Sequence, residues 1–590
     1  MKHTDIHTSL SQQFWQWFLQ YKSYGFSLLS KKKKVLAFQN REWVPGNALR
    51  GKKIIQNEIT FDQQSFRVQD IFSMIEGTLA PHSEALTYLH SFGFLRDLLA
   101  VPENNARKFA RQIIENWIIY HQSPFSNHWT SKAWDIEIVA IRLYSLIIFH
   151  QELINTSSDQ FKDIIENEID RSFKFLRRHW SFEYEDINLF WCLSSLLIAY
   201  SNGYDKYVYH HEIVSNLHLF RKKISLIILN DGMIYLRDTS LQVYIVQNLI
   251  EVRTALLNWA NRLNQKRKSK ANQKIIDQLN GLMDYIQKKI DSMTNIIRLM
   301  RHGDGALTQL ATQLTVWKGL NFNPSSDQID SILSMSLSDS SRPLTRAPYG
   351  GLERLTNKKS VVIVNTNMVD SESKKFMPIY TSGDDHKESG GERSLDVLNF
   401  DWSLGSIRII ENAEVILQMP NGEWIDAIDK SASLLKIKRH FQENKSVCFF
   451  ELESSMQQLS FTLQKLLMLD SDKLLFKARE TFQLKFNCII GLKFKLNPLC
   501  HVRKLHDNIC IELSEKSAKE GFNLSYPNTL NSSFLQNHRS HHKAPLTWIF
   551  RSSGEDQKEF FNDAVNPEII LLKSIGKNKQ TSIQWSFEIE

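Results

Sequence analysis

The periodicity of this 590-residue chain changes once, and that change limits its architecture more than any other feature. From about residue 105 to residue 300, apolar side chains recur at intervals of three and four. RKFARQIIENWIIYH (107–121) and WDIEIVAIRLYSLIIFH (134–150) carry this spacing, which gathers them on one face of a helix. LQVYIVQNLIEVRTALLNWANRL (241–263) lines up Ile245, Leu249, Val252, Leu256 and Trp259 in one stripe. LFWCLSSLLIAYSNG (189–203) is apolar nearly all round and ends on Asn-Gly, as a buried helix with a C-terminal cap does. A further helix is predicted over 272–301. Serine then dominates residues 323–341, and Pro343 and Pro348 follow. Beyond them come short β-branched or aromatic runs bounded by turn residues: 359–367, 446–454, 486–498, 508–514, 546–552 and 581–590. Many short strands without intervening helices predict an antiparallel sandwich. The expected organisation is a helical domain over 1–325, a linker over 326–345 and a β domain over 346–590. A chain of this length exceeds a single hydrophobic core.

Composition narrows the function classes. The net charge of +8 is a mild excess, too small to imply a nucleic-acid partner, though it suits an acidic ligand such as a polyuronate. The five cysteines (Cys192, Cys448, Cys488, Cys500, Cys510) are scattered, odd in number and free of any C-x-x-C, which argues against a disulfide scaffold or a zinc site. No apolar run approaches the roughly 18 residues of a membrane span. The first residues, MKHTDIHTSLSQQFWQWFLQYKSYGF, are broken by Gln, Lys and Tyr and do not read as a secretory signal. KKKK (31–34) reads as a solvated loop or helix end, and QKRKSK (265–270) as a solvated connection between helices. HRSHH (538–542) has a spacing that fits no metal site and reads as a basic loop. There is no phosphate-binding loop, no G-x-S-x-G and no dinucleotide fingerprint, so no cofactor or metal is expected.

Several segments, in order along the chain, resemble one family. LHSFGFLRDLLA (89–100) is similar to a Leu-His-x-Phe-x-Trp-Leu-Arg-Asp segment, and AWDIEIVAIRLYSL (133–146) to an Ala-Trp-…-Arg-Leu helix. ILNDGMIYLRD (228–238) resembles an Asp-Gly-Gly-…-Arg-Asn turn. LMRHGDGAL (299–307) and RAPYGGLERL (346–355) resemble the segments that leave the helical domain and enter the β domain. The family is that of the bacterial heparinase II/III-like proteins. The resemblance implies an (α/α) toroid, a C-terminal β-sandwich and a polysaccharide cleft between them. It implies β-elimination at a uronic acid, an acidic polysaccharide as partner, and a periplasmic or cell-envelope location. The N-terminus and the odd cysteine count point instead to the cytoplasm. Oligomeric state is not legible.

β-Elimination removes a very weakly acidic proton next to a carboxylate. The carboxylate must be neutralised, and a base and an acid must be positioned on the sugar. By resemblance, the toroid Asn falls on Asn188, for which a helix cap is the other reading. The toroid Tyr falls near Tyr235 and Tyr244, with Leu241 nearest the family position and core packing as the other reading for Tyr244. Arg237 and Asp238 match the Arg-Asn pair, and Arg237 would grip a uronate carboxylate in bidentate fashion or form a structural ion pair. In the sandwich, RSLDVLNFDWSLG (393–405) has Ser394 where the family has its catalytic His, and the nearest upstream histidine is His386. His302 ends a helical run before Gly303, either as punctuation at a domain boundary or, with Asp304 and Gly305, at the substrate-binding edge of the cleft. A catalytically degenerate glycan-binding or envelope protein is the alternative, favoured by the missing His.

Overall fold

A computed structural model describes residues 10–589, apart from 30–42, 68–82, 122–131, 309–323, 367–397, 514–546 and shorter stretches. His386, Ser394 and the 538–542 histidines lie outside the described residues. The chain divides into two compact units. One comprises residues 1–236, 240–294 and 315–339; the other comprises 237–239, 295–314 and 340–590.

The first unit is helical. Its helices are α1 (Leu10–Phe18), α2 (Tyr24–Leu28), α3 (Ala48–Ile55), α4 (Ser83–His90), α5 (Phe94–Leu99), α6 (Asn104–His121) and α7 (Ile136–Ile148). They continue as α8 (His150–Ile154), α9 (Asp159–His179), α10 (Asp186–Ser201), α11 (His210–Ile227), α12 (Thr239–Gln265), α13 (Lys270–Met300) and α14 (Ser326–Met335). A two-stranded hairpin, Glu58–Phe61 with Gln64–Arg67, interrupts them. Each helix predicted from periodicity forms, within a few residues of its expected ends. α10 is buried on every side from Ile187 to Ser201 and packs against α7, α9 and α11. That explains its unbroken apolar sequence. Gly203 closes the segment in the left-handed region (φ 108°), as Asn-Gly implied. α9 is capped by Ser158, whose side chain accepts from the Phe161 N–H, and ends on Arg177, Arg178 and His179.

Two local readings are corrected. The serine-rich stretch is not all connector: Ser326–Met335 is α14, its start capped by the Ser325 side chain, with Ile329 and Ile332 buried. Serine here serves the helix end, while the apolar positions inside the segment fold it inward. After α13 the left-handed glycine is Gly305 (φ 82°), not Gly303. The chain does not end in a simple cap but reverses in a tight turn. The His302 N–H donates to Ala306 O (2.9 Å), the Thr308 N–H to Met300 O (2.8 Å), and the Asp304 carboxylate accepts from the Ala306 N–H (2.9 Å).

The second unit is two antiparallel sheets. One runs Cys500–Leu505, Asn508–Leu513, Thr547–Ser553, Gln580–Ile589, Leu475–Leu484, Leu459–Asp470, Lys445–Met456, Ser433–Gln442. The other runs Gln557–Asn562, Glu568–Ile575, Cys488–Leu496, Ile407–Gln418, Phe400–Leu404, Ser360–Asn365, Leu352–Asn357, Arg346–Ala347, with Trp424–Asp426 paired to Ile407–Gln418. Inward residues of both sheets share one core, including Val362, Phe400 and Trp402 from one and Phe450, Phe476, Trp585 and Phe587 from the other. This is the sandwich that alternation predicts. The core contains a buried ion pair on neighbouring strands, Lys465 Nζ to Glu480 Oε1 (3.4 Å). Lys465 also donates to Leu398 O (3.1 Å), and the Trp585 indole donates to Glu480 (3.2 Å). Among the described residues no helix is long and apolar enough to cross a membrane.

Candidate functional site

Inside the helical unit, polar groups from distant parts of the sequence converge on a small cavity. α5 supplies Arg96 and Asp97, α7 supplies Tyr144 and Ser145, α10 supplies Trp191, α12 supplies Tyr244 and Gln247, and α14 supplies Gln328. The space measures about 30 Å³. That is room enough for ordered water.

Two charge pairs build the wall. Arg96 donates through Nη1 and Nη2 to Glu251 (2.8 and 3.0 Å), and through Nη2 to the Tyr144 hydroxyl (3.0 Å). Tyr144 donates to the same carboxylate, which also accepts from the Val44 N–H (3.2 Å). Asp97 accepts from Arg50 Nε (2.8 Å), from the Asn47 N–H (2.6 Å) and from the Tyr88 hydroxyl (3.2 Å). Two cations thus face two anions, and both carboxylates receive several donors, as buried charges require.

Burial raises the pKa of every phenol in this wall. Tyr88 and Tyr144 stand well above the ordinary value, and Tyr244 is pushed up to about 12, partly held down by neighbouring Arg50. At neutral pH each is a protonated phenol that can donate a hydrogen bond or a proton. The raised pKa makes each a weaker acid than a free tyrosine.

Asn188 lies in the first turn of α10, two residues past its start, and is buried. It is not the helix cap. Trp191, one turn on, lines the cavity. Tyr244 is buried, as packing required, but it packs against the polar wall rather than a purely apolar core. The turn before α12 is fixed by two devices. Gly232 takes φ 98°, and a Cβ there would come within 2.4 Å of the Ser292 carbonyl. The Gln242 side chain accepts from the Ile234 N–H (2.9 Å) and donates to Gly232 O (2.8 Å). The Asp-Gly turn of the sequence thereby sets where α12, and so Tyr244, begins.

Arg237, Asp238 and His302 belong to the β unit by contact. Arg237 is a non-glycine residue in the left-handed region (φ 56°), and its guanidinium donates to Tyr349 O (3.1 Å). Such strained positions cluster at functional sites. Arg237 and Asp238 are both buried. His302 is not available to a substrate. Its ring is fully enclosed, with Nδ1 2.7 Å from Ser403 Oγ and Nε2 2.9 Å from Asp401 Oδ1. Arg354 donates to Leu299 O (2.7 Å) and Arg301 O (2.6 Å), and Arg408 to Leu307 O (3.0 Å). These bonds fasten residues 299–307 to the strands of this unit. His302 is therefore a structural tie, closer to punctuation than to catalysis.

The structure also places buried charges inside the 89–100 and 133–146 segments. Arg96 and Asp97 are the Arg-Asp of the 89–100 segment. Arg142 and Trp134 belong to the 133–146 segment. Arg142 is wholly buried between Trp117 and Trp134 and donates to the carbonyls of His90 (3.1 Å) and Ala133 (2.8 Å). Glu168 lies 3.4 Å from it. His90 accepts from the Trp117 indole (2.9 Å), and burial lowers its pKa to about 3. The available signal was charge inside an apolar run: Arg96, Asp97 and Arg142 are flanked by residues that must be buried.

No family sequence model matches the chain, and no curated protein sequence matches it. Among solved structures, heparinase III is similar over 100% of this chain and 86% of its own, with a TM-score of 0.51 at 9% identity. Heparan sulfate lyase HepC from Pedobacter heparinus is similar over 98% of this chain and 87% of its own, at a TM-score of 0.47 and 10% identity. A Paenibacillus xanthan lyase is similar over 92% of this chain and 56% of its own, at a TM-score of 0.39 and 10% identity. The chain has the fold of heparinase III, an (α/α) toroid followed by an antiparallel β-sandwich.

Proposed function

We propose that this is a polysaccharide lyase-like protein of the cell envelope or periplasm that performs slow β-elimination on a uronic-acid-containing polysaccharide. The observation that carries the reading is a heparinase III fold whose helical unit retains a buried, protonated phenol, Tyr244, on a polar wall. Tyr244 supplies the proton to the departing glycosidic oxygen. Asn188 and Arg237 neutralise the uronate carboxylate, with Asp238 beside Arg237. His386 accepts the C5 proton in place of the histidine replaced by Ser394. Loss of one well-placed proton-transfer group costs about 10²–10⁴ in rate, hence slow turnover.

The test is ultraviolet detection of the unsaturated uronate product from a panel of polyuronates, using wild type, Arg237→Ala, Arg237→Lys and His386→Ala. The reading requires weak wild-type turnover that Arg237→Ala abolishes, that Lys restores poorly because it lacks the planar fork of Arg, and that His386→Ala lowers. Robust turnover untouched by any of these changes contradicts it.

A second reading has its own support: a non-catalytic glycan-binding protein. Ser394 stands where the family resemblance expects the catalytic histidine. Glycan binding with no turnover on any polyuronate selects this reading.

A further inference from the structure

Gln328, in α14, lines the cavity and is 1% exposed. One end of its side-chain amide meets the Gln247 amide at 3.2 Å; the other end has no hydrogen-bond partner among the described residues. Buried amide ends are almost always bonded, and leaving one bare is costly.

Arg96 decides which atom sits at the bare end. Its guanidinium carries donors only. Nε and Nη2 lie 3.0 and 3.2 Å from one end of the Gln247 amide, so that end is the oxygen. The Gln247 N–H2 is then turned to Gln328 and donates to the Gln328 oxygen. The bare end of Gln328 is therefore its N–H2. Arg96 is itself fixed by Glu251, so one ion pair sets the direction of both amides. α14 is fastened at both ends. The Gln328 N–H donates to the Ser325 side chain (3.3 Å), and Arg253 donates to the carbonyls of Met335 and Ser336 (both 3.1 Å).

We propose that the Gln328 N–H2 binds substrate by donating to an oxygen of the uronate carboxylate. The proposal rests on the reading of Tyr244 as the group that protonates the departing oxygen. In a uronide that oxygen and the carboxylate are borne by neighbouring ring carbons, so a donor sharing the cavity of Tyr244 is within reach of the carboxylate. The space of about 30 Å³ accepts an oxygen of this size. Asp97 and Glu251 are each paired with an arginine, so the wall does not repel an incoming anion. A neutral amide donor bonds more strongly as charge builds on the carboxylate during loss of the C5 proton. A carboxylate has about four acceptor sites, which leaves room for Gln328 beside the donors already assigned.

The experiment measures affinity by calorimetry for polygalacturonate, alginate and hyaluronan, each beside its carboxyl-reduced form, together with turnover on the unreduced glycans. Wild type, Gln328→Glu and Gln328→Met are compared, with thermal melts in parallel. Gln328→Glu keeps the oxygen that Gln247 needs and exchanges only the N–H2 for a second oxygen; Gln328→Met removes both ends. On the polyuronate that wild type binds, both variants should bind about ten- to a hundredfold more weakly, Gln328→Glu the weaker, and should match wild type on the carboxyl-reduced form. Unchanged affinity in both variants leaves the N–H2 to internal water and overturns the proposal. So do an equal loss on the carboxyl-reduced form, which moves the contact to a hydroxyl, and a wild type that binds no polyuronate. Selective loss of affinity in a protein without turnover contradicts the elimination reading and leaves the carboxylate contact standing; turnover with unaffected variants does the reverse.

Discussion

Each unit buries an ion pair, and the two pairs have different surroundings. In the helical unit, Arg96 and Glu251 stand in a ring of other polar groups beside open space. In the β unit, Lys465 and Glu480 lie within an apolar core, with Phe400 4.7 Å from the lysine and the Trp585 indole on the carboxylate. Burial lowers the Lys465 pKa, and Glu480, the Leu398 carbonyl and the Phe400 ring lie against it. The contrast separates scaffold from candidate chemistry. A pair enclosed by core side chains on paired strands fixes the register between them. A pair that orients phenols at the wall of a cavity sets the direction of their hydrogen bonds.

The largest expected effect breaks the pair on the helical side. Arg96→Met strands the Glu251 carboxylate in a buried site and should destabilise the protein by about 3–5 kcal/mol. Equilibrium denaturation followed by the helical far-ultraviolet signal measures this, and a loss below about 1 kcal/mol would show that water reaches Glu251 freely. On the β side, Trp402→Leu removes a fully buried ring that also donates to Ser360 (2.9 Å). It should cost about 2–4 kcal/mol by cavity formation and leave glycan binding by the folded protein unchanged. An altered glycan affinity at unchanged fold would extend the functional region into the sandwich core.

A pH experiment sharpens the comparison. His90, His150 and His179 all have pKa values lowered to about 3 by burial, and all lie in the helical unit. A histidine at about 6.5 when unfolded and about 3 when folded binds its proton more readily in the unfolded state. The stability is therefore present above pH 6.5 and is lost as pH falls toward 3. His90→Gln keeps an acceptor for the Trp117 indole but removes one titrating group. It should flatten the acid limb of the stability curve, and an unchanged limb would mean His90 contributes nothing to it. The smallest effect belongs to the structural tie. Ser403→Ala removes one hydrogen bond from His302 and should cost about 1–2 kcal/mol with no change in turnover or glycan affinity. A change in either would return His302 to the site.

Much of this was readable before any coordinates. The helices of α6, α7, α10, α12 and α13 follow from apolar spacing because each buries one stripe or, in α10, its whole surface. Six strands followed from β-branched runs. Strands such as Leu475–Leu484 were missed: five of the eight side chains of KARETFQL are polar or charged, since one sheet face meets solvent and Glu480 turns inward only because Lys465 waits opposite. α14 was missed because serine reads as linker when its capping role is invisible. The polar wall was hidden for a different reason. Asn47, Arg96, Tyr144 and the α12 pair Tyr244 and Glu251 are far apart in sequence, and only the packing of α3, α5, α7 and α12 assembles them. The gap at Ser394 was legible at once as a departure from the family pattern, because that reading needed one position rather than an assembly.

On the proposed mechanism Tyr244 is the proton donor, and His302 and Ser403 of the β unit take no part in proton transfer. Its most direct measurement is the elimination rate of Tyr244→Phe beside Ser403→Ala and wild type, with glycan affinity measured in parallel. Phe keeps the ring and removes only the hydroxyl. The expected result is a fall of about 10²–10⁴ in turnover for Tyr244→Phe, with affinity nearly unchanged, and no fall for Ser403→Ala. Turnover preserved in Tyr244→Phe, or lost in Ser403→Ala, would contradict the account.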